Sequence, residues 1–348
     1  MDEPNQRVTS LNAWVRRGSA GRRRSRHGTP PDGAQPDRPL RTRERAHGDA
    51  VFAILARGSG ALLLVIMAAI AVFLVIEAIP ALAANTTNFF TTLNWDPDGT
   101  PVSFGIAAVA FGSVLTSLLA LLISVPVAIG VALMTSQYAP RWLARPLGYV
   151  VDLLAAVPSV IFGLWGLIYL VPALIPLATF LNRYLGFIPL FASNGTYGKS
   201  VFAASIVLAV MVLPIVAAIS REVFAQTPAD HKEAAWAIGA TRWEMVRTAV
   251  LPYGRSGVIS ATVLGFGRAI GETIAVALVL SANYEISIHI LEPGGNTIAA
   301  NIANRYGEAG AIGRGALIAS GLVLFVITLV VNFAARAIVR RNGRGGAL

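Results

Sequence analysis

The sequence predicts an all-α integral membrane protein with six transmembrane helices, and three observations lead there. Apolar residues make up 55% of the 348 residues and charged residues only 13%, about half the charged share of an ordinary soluble domain. Six segments, about 61–84, 104–134, 147–177, 199–221, 256–282 and 312–337, are long and apolar enough to cross roughly 30 Å of hydrocarbon as helices. The basic residues fall in alternate connections: 23 of the 28 Lys and Arg lie in the N-terminal tail, the 135–146 and 221–255 loops and the C-terminal end, against three (Arg183, Lys199, Arg305) on the opposite side. By the positive-inside rule both termini are expected in the cytoplasm.

Residues 1–57 include RRGSAGRRRSRHGTPPDGAQPDRP and lack the apolar periodicity that would offset the entropy of ordering a fold. They read as a disordered, Arg-rich cytoplasmic tail, either a solvated arm that fixes orientation or one that meets anionic lipid headgroups. The stretch is too long and polar before the first apolar run to be a secretory signal. The net charge of +10 does not point to nucleic acid, because the cations lie in the tail and loops rather than on one face of a module. Two of the predicted spans exceed 30 residues, so kinks are expected, with Pro126, Pro158 and Pro172 as candidates.

Several chemistries are disfavoured by residue content. There is no cysteine, and the four histidines, His27, His47, His231 and His289, fall in different segments, so no metal site is expected. No paired carboxylates recur at one depth, as a membrane-embedded enzyme would need. SNGTYGKS at 193–200 resembles a phosphate-cradling loop, but Ser193 replaces the first glycine and no strand precedes it, so helix entry is the expected role. GFGRAIG at 265–271 sits inside a predicted span and is no dinucleotide fingerprint; its Gly267 and Gly271 are spaced to let another backbone pack closely.

The longest inner loop, REVFAQTPADHKEAAWAIGATRWEMVRTAVLPYGR from Arg221 to Arg255, has a definite predicted shape. Thr227 before Pro228 is read as a helix start. Gly239 stands where a helix end needs a left-handed residue. Thr241-Arg242-Trp243-Glu244 reads as a capping box opening a second helix, which Pro252 is expected to end. The result is helix, glycine turn, helix. Physics alone leaves two uses for it, lying on the membrane surface or docking into a cytoplasmic partner.

Within this loop Glu233-Ala234-Ala235, Gly239 and Leu251-Pro252 resemble the EAA motif of ABC importer permeases, the segment that docks into a cleft on the ATPase subunit. One position departs, Ala249, where that pattern usually has Ile. LLAAVPSVIFGLWGL at 153–167 and GRAIGETIA at 267–275 are further similar to permeases of the phosphate-specific (Pst) transporters, the PstC type rather than the PstA type. The likeness covers roughly residues 58–340. It implies a six-helix permease domain over 58–340 with the type I ABC importer permease fold and a cytoplasmic coupling segment at 223–252, followed by a short tail at 341–348. It also implies a bacterial plasma membrane location, a second permease of the PstA type, a pair of PstB-type ATPase subunits and an external PstS-type phosphate-binding protein. This chain would then have no ATP site or cofactor of its own, ATP and Mg being bound by the ATPase.

GRAIGETIAVALVL at 267–280 places Arg268 and Glu272 four residues apart in an apolar stretch, expected on one face of one helix near mid-membrane. A buried charge there costs several kcal/mol (on the order of 3 on insertion scales) and marks a site by default. Arg268 offers an anion a bidentate fork, and Glu272 neutralises it when the anion is absent and keeps binding weak enough for release. Thr273 and Ser159 are candidate hydroxyl donors, with bonding to their own helix backbone as the alternative. A purely structural salt bridge is the other reading of the charged pair. Phosphate import is the leading function; molybdate or sulfate import, a self-contained anion channel and a secondary transporter remain as alternatives, the last two without need of the docking element.

Overall fold

The computed structural model describes residues 43–343, with side chains from 50 to 337. Residues 1–42 and 344–348, which hold most of the expected N-terminal tail and most of the C-terminal one, lie outside the described residues. The chain divides into two units, 1–63 and 64–348. Helix α1 (Arg43–Ala84) begins ahead of the predicted 61, so residues 43–57 of the expected tail are helical.

Among the described residues, five helical stretches are long and apolar enough to cross a membrane: Ala50–Ala84, Ala107–Tyr138, Ser159–Leu185, Val201–Ala225 and Ala311–Ala337. Two of the six predicted spans are drawn differently. The one expected at 147–177 is two pieces, α3 (Arg141–Ala155) and, after a break at 156–158, α4 (Ser159–Trp165), which continues through a π-turn into α5 (Val171–Leu185). Pro158 causes the break, since it has no N–H to donate and pushes Val157 away from helical angles. The span expected at 256–282 is likewise two pieces and is not among the five. Helix α9 (Leu251–Ile270) ends with Gly271 as its cap, and α10 (Ile274–Val279) starts after Glu272 and Thr273. Gly271 is a poor helix interior, and the glycines and arginines of α9 lower its hydropathy.

The core is a parallel pair, α2 (Ala107–Leu133) and α6 (Val201–Ala225). Ala120 packs with Val207 and Leu208, then Leu121 and Ala128 with Val212 and Val216, then Ala132 and Leu133 with Phe224. The small residues Ala120, Ala128 and Ala132, all fully buried, allow that close approach. Ser113, Thr116 and Ser117 satisfy their hydroxyls on the carbonyls four residues back in α2. Ser200 caps α6 by accepting from the Ala203 N–H, the helix-entry role expected for the 193–200 stretch.

Three π-turns, Met134–Tyr138, Gly166–Leu170 and Val246–Val250, each end two residues before a proline: Pro140, Pro172 and Pro252. In each, the residue ahead of the proline donates to a carbonyl five back, Ala139 to Met134, Val171 to Gly166 and Leu251 to Val246. The widened turn makes room for a ring that would otherwise strike the preceding turn. Pro252 therefore does not end a helix as expected. The chain runs from α8 (Arg242–Met245) through the π-turn into α9 without a stop.

At the end of the bundle where α2 begins, a two-residue hairpin, β1 (Trp95–Asp96) with β2 (Ser103–Phe104), pairs Trp95 with Phe104. Trp95 stacks on Tyr284 at 6.2 Å and 8°, and the Tyr284 hydroxyl donates to Asn301 Oδ1 at 2.6 Å, on α11 (Ile298–Arg305). Burial raises the Tyr284 pKa, with Arg305 opposing the shift. The Asp98 carboxylate accepts from the Gly310 and Gly313 N–H groups, capping α12 (Ala311–Gly343) from 212 residues away.

Candidate functional site: a broken helix at mid-depth and a glycine elbow

The break in α9–α10 is placed by α6. A Cβ on Gly265 would meet Val212 and Val216, which flank the midpoint of the 25-residue α6, a helix about 37 Å long. Arg268, three residues further, therefore lies within about 5 Å of mid-depth. Its side chain is exposed, and nothing lies within 4 Å of where a Cβ on Gly267 would be. No other backbone packs at Gly267 and Gly271, contrary to the expectation from their spacing; Gly265 is the tightly packed glycine of that stretch.

Helices α4 and α10 run side by side in the same sense. A Cβ on Gly163 would lie 2.6 Å from Ala275 Cα, and one on Gly166 would lie 2.7 Å from Val207 Cγ2 and 3.2 Å from Val279 Cγ2. Ser159 is four residues, about 6 Å, ahead of Gly163, which sets it level with the Gly271–Thr273 break. Two chain interruptions, 156–158 and 271–273, thus sit at the same depth. The sequence reading named Ser159, Arg268, Glu272 and Thr273 but missed Gly163 and Gly166, the residues that bring their helices together; the small-residue spacing in GLWG was the available signal.

The charged pair differs from expectation. Arg268 is in the last turn of α9 and Glu272 lies past the cap, so the two do not share one helix. Among the described residues the ion pairs within 4.0 Å are Arg221–Asp152 and His289–Glu292, and Arg268 and Glu272 make none with each other. The structural salt bridge is thereby absent. Glu272 and Thr273 are half-buried, and the Thr273 hydroxyl donates to the Gly271 carbonyl at 3.2 Å, which is the backbone alternative for that residue. Ser159 is half-buried at the first position of α4. The arrangement presents a guanidinium with its donors open, one carboxylate nearby in sequence, and the free N–H groups at the start of a 27-residue helical stretch. Arg314, in the first turn of α12, stands 5.7 Å over the Tyr306 ring and takes no part.

The elbow matches its sequence signals at its second half. Gly239 has φ +83°, the left-handed region that disfavours a side chain. Thr241 caps α8 by a full capping box: its hydroxyl accepts from the Glu244 N–H at 3.3 Å, and Glu244 accepts from the Thr241 N–H at 2.7 Å and its hydroxyl at 2.8 Å. Those donors, the backbone N–H first, hold the Glu244 pKa below its usual value of 4.5. The first half departs. Pro228, not Thr227, precedes α7 (Ala229–Ala237), and the Thr227 hydroxyl is buried without a hydrogen-bond partner.

Ala235, Met245, Val246 and Val250 anchor the elbow to Phe224 of α6 and to Ala132 and Leu133 of α2. Glu233 and Ala234 are exposed on α7, while Trp236, Ile238 and Trp243 are 50%, 86% and 56% exposed. Between the two arms lies a groove of ≈ 900 Å³ lined by Asp230, His231, Ala234, Ile238, Glu244 and Ala249 among others. Ala249, the residue that departs from the usual pattern, is part of its wall. Leu251 and Pro252 sit at the junction into α9, so the elbow is covalently continuous with the helix whose last turn holds Arg268.

Comparison with known proteins agrees with this architecture. Residues 124–344 match the family model described as binding-protein-dependent transport system inner membrane component. Similar curated proteins include "Phosphate transport system permease protein PstC 2" of Mycobacterium tuberculosis, 48% identical over 301 residues, 85% of this chain and 93% of that one. They also include "Phosphate transport system permease protein PstC" of Mycobacterium leprae, 49% identical over 77% of this chain and 86% of that one, and of Xylella fastidiosa (strain 9a5c), 40% identical over 86% and 93%. Among solved structures, an inward-facing MetNI methionine ABC transporter chain aligns with a TM-score of 0.50 at 18% identity, over 68% of this chain and 95% of that one, a likeness of fold. The five apolar spans, the broken α9–α10 and the match over most of its length place this chain in the family of binding-protein-dependent transport system inner membrane components.

Proposed function

We propose that this chain is the transmembrane permease subunit of an ATP-driven ABC importer that carries inorganic phosphate into the cytoplasm of a bacterial cell, and that the anion passes the Gly271–Thr273 break. The observation that carries the reading is the set of relatives named phosphate transport permeases, 36–49% identical over 77–86% of this chain. The site supports it on chemical grounds. Arg268 gives a tetrahedral oxyanion a planar two-donor fork, unshared with a carboxylate, at mid-depth. The N-terminal end of α4, with Ser159, adds dipole and N–H donors of the sign an anion prefers. The Glu272 carboxylate at the same break weakens the hold enough for release, as conduction requires, and Thr273 stands beside it as a candidate hydroxyl donor.

In this reading the elbow from Pro228 to Pro252 is gripped by the ATPase, which binds ATP and Mg, so that Glu233, Ala234, Ala235 and Gly239 make the contact and Leu251 and Pro252 pass the movement to α9. A second permease of the PstA type, a pair of PstB-type ATPases and a PstS-type external binding protein complete the assembly, and both termini lie in the cytoplasm of a plasma membrane. The test is uptake of labelled phosphate at matched membrane abundance. Arg268→Ala should abolish uptake and Arg268→Lys should keep a fraction, since an ammonium retains charge without the fork. Glu272→Gln should cut turnover more than apparent affinity, because the anion then leaves more slowly. Sulfate and molybdate should compete poorly. Undiminished uptake by Arg268→Ala would overturn the assignment of the path, and preferred transport of another oxyanion would overturn the substrate.

A further inference from the structure

Helix α3 is unusual in burying so little. Its contacts with the bundle are made by Gly148, which leaves room for the Arg221 guanidinium, and by Val151, which packs with Val212, Val216 and Ala217 of α6. The opposite side carries Trp142, Tyr149 and Leu153 at 76%, 73% and 70% exposure, together with exposed Arg141 and Arg145. At 100° per residue, Arg145, Tyr149, Trp142 and Leu153 fall within one arc of about 80°, with Arg141 about 40° beyond the Arg145 side of it.

Depth separates the two kinds of residue. Val151 clusters with Val216 and Ala217, eight or nine residues, about 12–14 Å, short of the end of α6 at Ala225. Arg145 lies about 9 Å below Val151 along α3, and Arg141 about 6 Å lower still, so the two arginines straddle the end of the bundle while Tyr149 and Leu153 remain within it. The sequence count of basic loops makes that end the cytoplasmic one. Asp152, the acid nearest this arc on α3, is engaged by Arg221 at 3.4 Å, and neither Arg141 nor Arg145 has a carboxylate within 4.0 Å among the described residues. Arg242, 5.6 Å over the Tyr138 ring just ahead of α3, adds a third cation at this level.

We infer that this face of α3 holds an anionic phospholipid of the cytoplasmic leaflet, the phosphate-bearing headgroup between Arg141 and Arg145 against Trp142, and an acyl chain along Tyr149 and Leu153. Charge complementarity selects the occupant: a zwitterionic lipid cannot neutralise two unpaired guanidinium groups, and an aromatic ring between them belongs at headgroup level. The inference needs only the membrane-spanning architecture and is independent of what the protein transports.

The assembled transporter in nanodiscs of phosphatidylglycerol and phosphatidylcholine at equal amounts, analysed by native mass spectrometry, tests it. The native chain should retain phosphatidylglycerol preferentially, and the double variant R141Q/R145Q should lose roughly thirtyfold in that preference, the combined effect of two interfacial cations. Arg183→Gln, at the far end of α5, serves as a control and should retain it. A photo-crosslinker in place of Trp142 should label lipid. Equal lipid retention by R141Q/R145Q, or crosslinking of Trp142 to another protein chain instead of lipid, would overturn the inference.

Discussion

Gly163 of α4 and Ala275 of α10 meet with no room between them: a single added carbon on the glycine would lie 2.6 Å from the alanine's Cα. That contact fixes the two short helices in register, and with them the shared depth of Ser159 and the Gly271–Thr273 break. It also separates glycines that shape the site from those that merely occur near it.

Gly163→Ala should therefore destabilise the protein by about 1–3 kcal/mol, because the atom it strikes is backbone and cannot rotate aside. Gly267→Ala, inside α9 with nothing within 4 Å, should not destabilise the protein and, by helix propensity, should add up to about 1 kcal/mol. Thermal unfolding in detergent compares the two directly. If Gly163→Ala is as stable as Gly267→Ala, the close contact between α4 and α10 is not a feature of the folded protein.

At Gly239 the expected effect is one of backbone conformation alone. The site is open, with no atom within 4 Å, but φ is +83°, so valine costs at least about 1 kcal/mol there, while asparagine, which tolerates left-handed angles, costs less. Gly239→Val should still enter the membrane at normal abundance yet retain less ATPase subunit on purification than Gly239→Asn. Equal retention by both variants would remove Gly239 from the docking contact.

The capping box makes the elbow sensitive to acid. The Glu244 pKa is depressed in the folded chain, so its contribution is complete above the ordinary 4.5 and is lost as pH falls through the lower folded value. Amide exchange of residues 241–245 should accelerate below that pH, and Glu244→Gln should flatten the dependence. Exchange in this segment that stays insensitive to pH from neutral down through and below 4.5, after correction for intrinsic rates, would show that the box is not formed.

Much of the molecule was legible because its signals are local. Apolar runs set by the thickness of hydrocarbon marked four of the membrane helices to within a turn or two at most ends, and Gly239 and the Thr241–Glu244 box announced the elbow because a left-handed residue and a cap act within a few positions. Arg268 stood out for the same reason, a charge amid apolar neighbours. What sequence misjudged was continuity. Pro252 reads as a stop, yet the π-turn at Val246–Val250 absorbs its missing donor, whereas Pro158 and Gly271, which read as a kink and a packing residue, are true interruptions. Whether a helix bends, widens or breaks at such a residue depends on which neighbours stand ready to take the freed backbone groups and fill the space. The composition by itself determined a multi-pass helical protein with one charged turn. Only the packing of α4, α6 and α10, through contacts between residues 41 to 113 positions apart, decided that Arg268 and Glu272 part company at a break and that Ser159 lies level with it.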